Sequence, residues 1–371
     1  MDVIFLSFLT AFTLTYFAIP SIIHVAREKK IFDVPGNRSS HHISTPSLGG
    51  IAIFAGVLFS IVLWTPFGDF NQLQYILCAF LILFLVGARD DVLPMSAPKK
   101  MIAQILAACI LIFKSNIQLT SLYGLFGVTQ ELSPWLSIGI SILTILVIVN
   151  AFNLIDGING LAGCVGSLIA STLGCWFILT EHFEYAIVAF ACVGAIVAFL
   201  KYNITPAKIF MGDTGSLHIG LVCAILVIKF IDINFYMRDG AAFKLGAGPV
   251  VAIGIMIIPL FDTIRVFITR ILRGHSPFHP DRRHIHHLLL DYGCSHMRAT
   301  GILLFVNVIF ISFVFAFHNI IELHLLLCAV LLAATILTYI LHVAVIRRRW
   351  EISHRRSLHS QRKPQPKEST V

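Results

Sequence analysis

Residues 134–160 read PWLSIGISILTILVIVNAFNLIDGING, an apolar run that ends in a cluster of amide, carboxylate and glycine residues. A helix of about 20 apolar residues is long enough to cross a hydrocarbon layer roughly 30 Å thick. The first part of the stretch, residues 134–152, meets that requirement. The stretch therefore predicts a membrane-spanning helix that carries polar side chains at one end.

Similar apolar runs recur along the chain. Of its 371 residues, 57% are hydrophobic and only 12% are charged, which lies outside the usual composition of a soluble domain. The predicted fold class is an all-α polytopic membrane protein with about 10 or 11 transmembrane helices. The expected spans are 3–24, 48–65, 73–88, 101–117, 134–152, 160–180, 185–200, 215–233, 247–268, 299–318 and 324–346.

The distribution of basic residues predicts the orientation. The first apolar run begins MDV and is followed by Arg27, Lys29 and Lys30, so we expect an uncleaved signal-anchor with its N-terminus outside. Segments 25–47, 89–100, 201–214 and 269–298 and the C-terminus then lie on the cytoplasmic side and hold most of the Lys and Arg. This agrees with the positive-inside rule, and the net charge of +8 indicates topology first.

The chain is expected to comprise a multi-span domain, residues 1–346, and a basic cytoplasmic tail, residues 347–371. The tail contains Pro364 and Pro366 and has no apolar periodicity. We expect it to be disordered at the anionic leaflet of the membrane. Its charge is not interpreted as nucleic-acid binding.

Two adjacent carboxylates, Asp90 and Asp91, follow the third expected span, and Lys99, Lys100 and Gln104 come after them. Neighbouring carboxylates at a membrane boundary repel each other unless a cation joins them. Magnesium or a nearby lysine would meet that need. A hydrated cap on the next helix is the alternative interpretation.

The segment NAFNLIDGING, residues 150–160, lies between two apolar spans. Asn153 and Asp156 are three residues apart, so they share a face if the segment is helical. Gly157 and Gly160 allow a tight backbone or the close approach of a ligand. A reentrant turn would explain the glycines but not so many amide and carboxylate oxygens, which favours a functional site.

The segment FMGDTGS, residues 210–216, precedes the eighth expected span and places Asp213 in the first turn of a helix. A carboxylate there is stabilised by the helix dipole, so an N-cap is one interpretation. The other is a metal ligand. Magnesium prefers hard oxygen donors such as Asp213 and the amide oxygen of Asn153, and it commonly takes only one or two from the protein.

The segment SPFHPDRRHIHH, residues 276–287, lies between the ninth and tenth expected spans. Two adjacent arginines, Arg282 and Arg283, precede His284, His286 and His287. Arginine pairs with phosphate and histidine donates or shuttles protons, so the segment suits an anionic substrate. A zinc site and a solvated basic loop are the alternatives.

The first expected cytoplasmic loop contains PGNRSSHH, residues 35–42. Arg38, His41 and His42 are candidates for contact with a phosphate or nucleotide. Membrane anchoring by a positive charge would explain Arg38 nearly as well.

These segments converge on one membrane face and together supply carboxylates, amide oxygens, Lys, Arg and His. This set can hold magnesium on a diphosphate and stabilise the charge that develops during phosphoryl transfer. The chain has no Gly-x-x-x-x-Gly-Lys loop, so ATP hydrolysis is not expected.

The motifs resemble, in order and along nearly the whole chain, those of the polyprenyl-phosphate N-acetylhexosamine-1-phosphate transferases. The His-x-His-His spacing is more similar to the bacterial branch that transfers GlcNAc 1-phosphate than to the phospho-MurNAc-pentapeptide transferases, which have three consecutive histidines. The pair His41-His42 departs from the His-Lys pair of that family. The matching motifs are Arg38 to Gly50, Asp90 to Gln104, Asn150 to Gly160, Phe210 to Ser216 and His284 to His287.

The resemblance implies transfer of a sugar 1-phosphate, GlcNAc 1-phosphate above all, from a UDP-sugar to undecaprenyl phosphate, with release of UMP. It implies a Mg²⁺ cofactor, which Mn²⁺ can replace, and a bacterial cytoplasmic (inner) membrane location with the active site facing the cytoplasm. The partners implied are the UDP-sugar and the lipid phosphate, and a homodimer is compatible with this assignment. Nucleic acid is not an expected partner.

The resemblance also assigns roles to individual residues. Asn153 and Asp213 are implied as metal ligands. Asp90 is the implied base that keeps the lipid phosphate deprotonated, with Asp91 supporting it. The implied contacts to donor, sugar and phosphate are Arg38, His41, Lys100, Asp156, Asn159, Phe210, Arg282, His284, His286 and His287.

A membrane transporter or flippase for an anionic substrate is the competing class, and a scaffold without activity is a third. In a transporter, Asp156 or His218 would bind substrate near the middle of the bilayer. The depth of the polar motifs distinguishes these classes, because the sequence places them at span ends.

Overall fold

The computed structural model describes residues 1–31, 45–66, 70–276 and 283–361, with side chains except at 70–71 and 355–361. These ranges form thirteen α-helices and a short 3₁₀ turn, Leu125–Gly127. The helices are α1 (Asp2–Glu28), α2 (Gly49–Trp64), α3 (Phe70–Val92), α4 (Ala97–Ser115), α5 (Pro134–Ile155), α6 (Leu161–Leu179), α7 (Phe183–Asn203), α8 (Gly212–Tyr236), α9 (Gly248–Ile255), α10 (Ile257–Ile271), α11 (Ile285–Asp291), α12 (His296–Phe317) and α13 (Leu323–Gln361).

Every expected span coincides with a helix or a helix pair, and the predicted all-α polytopic membrane fold is confirmed. Within the described ranges, seven helices are long and apolar enough to cross a membrane, or eight if α9 and α10 are counted as one bent span. Helix α2, with 16 residues, is apolar but shorter. Helix α4 contains Lys99, Lys100 and Lys114.

The expected span 247–268 is not one straight helix, because α9 and α10 meet at an angle of 83°. Pro259 lies in the first turn of α10 and has no N–H to donate to the carbonyl of Ile255. The side-chain amide of Asn307 donates to that carbonyl instead, at 3.1 Å. The break is therefore stabilised by a neighbouring helix, as backbone groups at membrane depth require.

The expectation of a disordered tail from Arg347 is wrong for its first part, because α13 continues to Gln361. The region contains Arg, Glu and Leu, which favour helix, and its prolines come only after residue 361. Arg347 pairs with Glu351 one turn on, at 3.3 Å, and Arg349 pairs with Asp291 of α11 at 2.6 Å. Residues 362–371 lie outside the described part of the chain.

Helix α8 lies at the centre of the bundle. In the most apolar 18-residue stretch of α8, 83% of the residues are buried, whereas the corresponding figure for α13, at the periphery, is 17%. Small residues let α2 and α3 approach the start of α8 closely. A Cβ added at Gly87 of α3 would lie 2.5 Å from the Cα of Thr214, and one at Gly50 of α2 would clash with the backbone of Gly215. The packing thus brings the C-terminal end of α3 to the N-terminal end of α8.

Candidate active site

Asp91, at the end of α3, binds the N-terminus of α8. One carboxylate oxygen accepts from the N–H of Asp213 at 2.6 Å, and the other accepts from the N–H and hydroxyl of Thr214 at 3.1 and 2.5 Å. Helix N-termini have unpaired N–H groups and attract negative charge. Gly212 has φ +71°, and a Cβ there would lie 2.6 Å from both Asp91 oxygens. Asp91 therefore positions the helix that carries Asp213.

Lys100 joins the carboxylates of Asp90 and Asp213. Its ammonium lies 2.6 Å from an oxygen of each. The second oxygen of Asp213 accepts from the side-chain amide of Asn153 at 2.9 Å. The side chain of Asp213 is thus directed at Lys100 and Asn153. The N-cap interpretation of Asp213 is wrong, because the carboxylate of Asp91 accepts the hydrogen bonds at the N-terminus of α8. Four residues from four separate helices meet here.

The carboxylates outnumber the cations at this point. Burial, together with the nearby Asp213 and Asp91, holds the pKa of Asp156 well above its usual range. Burial also raises the pKa of Asp91 to about 7, against the opposing effect of its hydrogen bonds to Thr214 and Asp213. Burial lowers the pKa of Lys100, but the two carboxylates beside it outweigh burial and the net shift is upward. The site therefore favours an additional positive charge.

A second group of contacts forms around the histidines. Asp262, buried on α10, accepts from His284 Nδ1 at 3.0 Å, from the N–H of Ile285 at 3.0 Å and from the guanidinium of Arg265 at 2.8 Å. Arg265 also donates to the carbonyl of Arg283 at 2.6 Å. Asp262 thus fixes the start of α11.

Asp262 and Arg265 were absent from the sequence prediction, although a signal was present. An ionisable residue inside an apolar span is usually functional or paired. Both residues lie inside the expected span 247–268.

His286 brings α11 against the 150–160 segment. A Cβ added at Gly157 would lie 2.5 Å from His286 Nε2. His286 is only 1% exposed. Burial, aided by His287, lowers the pKa of His286 to about 3. His286 is therefore a neutral imidazole at neutral pH. His287 packs beside it, with ring centroids 4.2 Å apart.

Asn159 and Phe210 lie at the border of this arrangement. The carbonyl of Asn159 accepts from Thr300 at 2.9 Å, and its side-chain amide donates to Thr205 at 2.9 Å. The backbone of Phe210 pairs with Pro46 at 2.7 Å and Gly49 at 2.9 Å. These hydrogen bonds hold the segments that flank the site. The structure places neither residue among the side chains that contact one another around Lys100, which are Asp90, Asn153 and Asp213.

Of the sequence-predicted residues, the structure joins Asp90, Asp91, Lys100, Asn153 and Asp213 by direct hydrogen bonds. Asp156 is close enough for its charge to be affected by two of them. Arg38, His41 and Arg282 lie outside the described residues. Within the described ranges, no group of three or more His, Cys, Asp or Glu side chains is arranged to hold a metal ion, so the zinc alternative gains no support.

Fold and site together define a polytopic membrane protein with a charged site built at helix ends. Residues 73–231 match the model of glycosyl transferase family 4. With the relatives below, this places the chain in that family, and the resemblance seen in the sequence is confirmed.

Three relatives are similar over most of both chains. A probable undecaprenyl-phosphate N-acetylglucosaminyl 1-phosphate transferase of Bacillus subtilis (strain 168) is 31% identical over 291 residues, 78% of each chain. A decaprenyl-phosphate N-acetylglucosaminephosphotransferase of Mycobacterium leprae is 32% identical, over 78% of this chain and 77% of its own. An undecaprenyl-phosphate alpha-N-acetylglucosaminyl 1-phosphate transferase of Yersinia pestis is 29% identical, over 89% and 87%.

Proposed function

We propose that this chain transfers GlcNAc 1-phosphate from UDP-GlcNAc to undecaprenyl phosphate and releases UMP. The observation that carries the proposal is Lys100 held between Asp90 and Asp213, with Asn153 beside it. The names of the relatives support the sugar and the lipid. In the net reaction an oxygen of the lipid phosphate bonds to the sugar-bearing phosphorus, and the bond from that phosphorus to the oxygen retained by UMP breaks.

The residues fit a magnesium ion. Asp213 offers carboxylate oxygens, Asn153 offers an amide oxygen, and the excess of carboxylates favours a divalent cation. In the structure the amide nitrogen of Asn153 faces Asp213, so ligation by its oxygen requires the amide to turn over. When bound, magnesium would supply charge stabilisation on the donor diphosphate.

The remaining roles belong to the chain itself. The ammonium of Lys100 is in direct contact with the carboxylates of Asp90 and Asp213 and would stabilise the charge on the phosphate under attack. Asp90 would keep the lipid phosphate deprotonated. Asp91 orients the start of α8, a more indirect role than the resemblance implied.

The side chains of His284 and His286 are suited to contact the sugar or phosphate of the donor. His284 Nε2 and both ring nitrogens of His286 are buried and have no hydrogen-bond partner among the described residues. Buried polar atoms are normally satisfied, so these are the groups that a bound sugar or phosphate would be expected to pair with.

A lipid acceptor agrees with the distribution of apolar and polar residues on the two faces of α10. One face buries Asp262 and Val266, whereas the other exposes Ile264, Ile268 and Ile271. An apolar face beside a polar one allows a long hydrocarbon chain to stay in the bilayer while its phosphate reaches the site.

The depth of the polar groups favours an enzyme over a transporter. Asp90 lies near the end of α3, Lys100 at the start of α4, Asn153 near the end of α5 and Asp213 at the start of α8. His218, one of the two residues that would bind substrate in a transporter, is buried and packs edge-on against the rings of Phe54 and Phe80. We therefore propose a multi-pass enzyme of the bacterial cytoplasmic membrane whose site faces the UDP-sugars of the cytoplasm.

The test is a donor panel. Purified full-length protein would be incubated with undecaprenyl phosphate, Mg²⁺ and UDP-sugars tritiated in the sugar. We expect label in the lipid fraction with UDP-GlcNAc. Label with another UDP-sugar alone would overturn the donor assignment, and no labelled lipid with any donor would overturn the proposed function.

A further inference from the structure

A groove of about 690 Å³ lies away from the candidate site, where α13 passes the end of α11. Tyr292 forms one side. The side formed by α13 consists of Ile340, Val343, Ala344, Arg347, Arg348, Glu351 and Ile352. The proposed reaction uses none of these residues.

Along α13 the groove changes from apolar residues to the charged residues Arg347, Arg348 and Glu351. Ile340 and Val343 lie inside the expected span 324–346 and are 58% and 45% exposed. Arg347 and Arg348 are the first residues after that span. The groove therefore crosses the boundary between hydrocarbon and headgroups, where anionic lipids attract basic residues.

The charges in and around the groove leave one cation without a counterion. Arg347 pairs with Glu351 at 3.3 Å, and Arg349, outside the groove, pairs with Asp291 at 2.6 Å. Arg348 lies over the ring of Tyr292, 5.1 Å from its centroid. In the part of the chain that the structure describes, no carboxylate lies within ion-pair distance of Arg348.

We propose that this groove binds one anionic glycerophospholipid of the bilayer. The lipid phosphate pairs with Arg348, held in place by Tyr292, and an acyl chain lies along Ile340 and Val343. Free phosphate would satisfy Arg348 but would leave the apolar half of the groove unused, so a lipid is the better fit.

A lipid at this position would also support α11. Tyr292 directly follows that helix, and the ion pair of Asp291 with Arg349 ties the same end of it to α13. The helix carries His286 and His287 at its other end. The binding itself goes beyond the proposed function and does not depend on it.

Native mass spectrometry tests the proposal on purified full-length protein. The protein in detergent would be titrated with dioleoyl phosphatidylglycerol and, separately, with dioleoyl phosphatidylcholine. We expect the first phosphatidylglycerol to bind more tightly than the first phosphatidylcholine. Arg348→Ala should weaken phosphatidylglycerol binding by about fivefold, the effect of one arginine near anionic lipid.

Arg27→Ala is the matched control, because it removes one exposed arginine from the end of α1, outside the groove. It should leave the first-lipid affinity unchanged, and circular dichroism should show that both variants remain folded. Unchanged affinity in Arg348→Ala, or an equal loss in Arg27→Ala, would overturn the proposal. Displacement of the lipid by millimolar inorganic phosphate would overturn the choice of a lipid over free phosphate.

Discussion

Lys100 links two carboxylates that come from different helices, and this contact organises the site at the scale of single residues. Its ammonium is 2.6 Å from both Asp90 and Asp213. The adjacent carboxylates and the lysine were identified from the sequence because such a pair needs a cation. That Asp91 faces backbone N–H groups while Asp90 faces the lysine depends on the rotation of α3 against α8, which sequence spacing does not specify.

Lys100→Ala should lower kcat by about 100-fold or more, because the charge proposed to stabilise the transferred phosphate is lost and two carboxylates are left to repel each other. The matched control is Lys99→Ala, an exposed lysine one position earlier on the same helix. Its kcat should stay within about twofold, since an exposed lysine contributes little. Equal losses of kcat in the two variants would show that activity depends on the positive charge of the region in general and not on the contacts of Lys100. The measurement is initial rate at saturating donor and acceptor.

Asp262→Asn should lower activity by about 10- to 100-fold while the protein remains folded. The substitution keeps the shape of the side chain but weakens the pairing that holds His284 and Arg265, a loss of about 1–3 kcal/mol. Asp239→Asn is the control, because it removes a fully exposed carboxylate that pairs with Lys244, away from α11. Rates and melting temperatures of both would be compared. Wild-type activity in Asp262→Asn would show that His284 needs no carboxylate partner.

The pKa of Asp91, which burial raises to about 7, predicts a pH dependence of stability. A raised pKa means that the folded chain keeps a proton that the unfolded chain releases. This contribution to stability is complete below the ordinary carboxyl pKa, 3.8, and is lost as the pH rises toward 7. The melting temperature of metal-free protein should therefore fall over this range more steeply in wild type than in Asp91→Asn. Identical slopes would indicate that Asp91 is ionised throughout.

At the scale of elements, the contact of α11 with the 150–160 segment joins the histidines to the rest of the site. It depends on Gly157, where a side chain would meet His286. The sequence indicated that a glycine there allows a close approach, but it did not identify the partner. A contact between residues 129 positions apart depends on how α10 and α12 place α11, and local periodicity carries no information about that placement.

Gly157→Ala should displace His286 and lower activity by about tenfold or more, at a cost in stability of about 1–3 kcal/mol from overpacking. Gly139→Ala is the matched control on the neighbouring helix α5, where an added Cβ would meet nothing within 4 Å. That variant should be as active as wild type, and slightly more stable because alanine favours helix. Thermal unfolding and initial rates would be measured for both. A fully active Gly157→Ala would contradict the placement of His286.

At the scale of the whole molecule, the helices were predictable because apolar runs of membrane length are a strong signal. The structure differs from the sequence prediction in two places. In one the mean hydropathy of a span conceals a break, and in the other no apolar pattern is present. The break between α9 and α10 follows from Pro259 and from a hydrogen bond supplied by α12, which the hydropathy of residues 247–268 does not reveal. The extension of α13 beyond Ile346 follows from helix-forming residues and from contact with α11, in a segment without apolar periodicity.

The convergence of the motifs at one end of the bundle was also predicted from the sequence, since each polar segment follows or precedes a span on the same expected face. The structure adds that α8 is the central helix and that its N-terminus is the meeting point of α3, α4 and α5. The proposed phosphoryl-transfer site at that point would be within reach both of a soluble donor and of the phosphate of a membrane lipid.

The most direct measurement follows the phosphorus that carries the sugar. Wild type and Asp213→Asn would be incubated with Mg²⁺, undecaprenyl phosphate and UDP-GlcNAc labelled with ³²P in the phosphate next to the sugar. We predict that wild type moves this label into the lipid fraction with an equal amount of unlabelled UMP, and that Asp213→Asn, although folded, does not. Label recovered in UDP, with unlabelled sugar on the lipid, would contradict transfer of a sugar 1-phosphate.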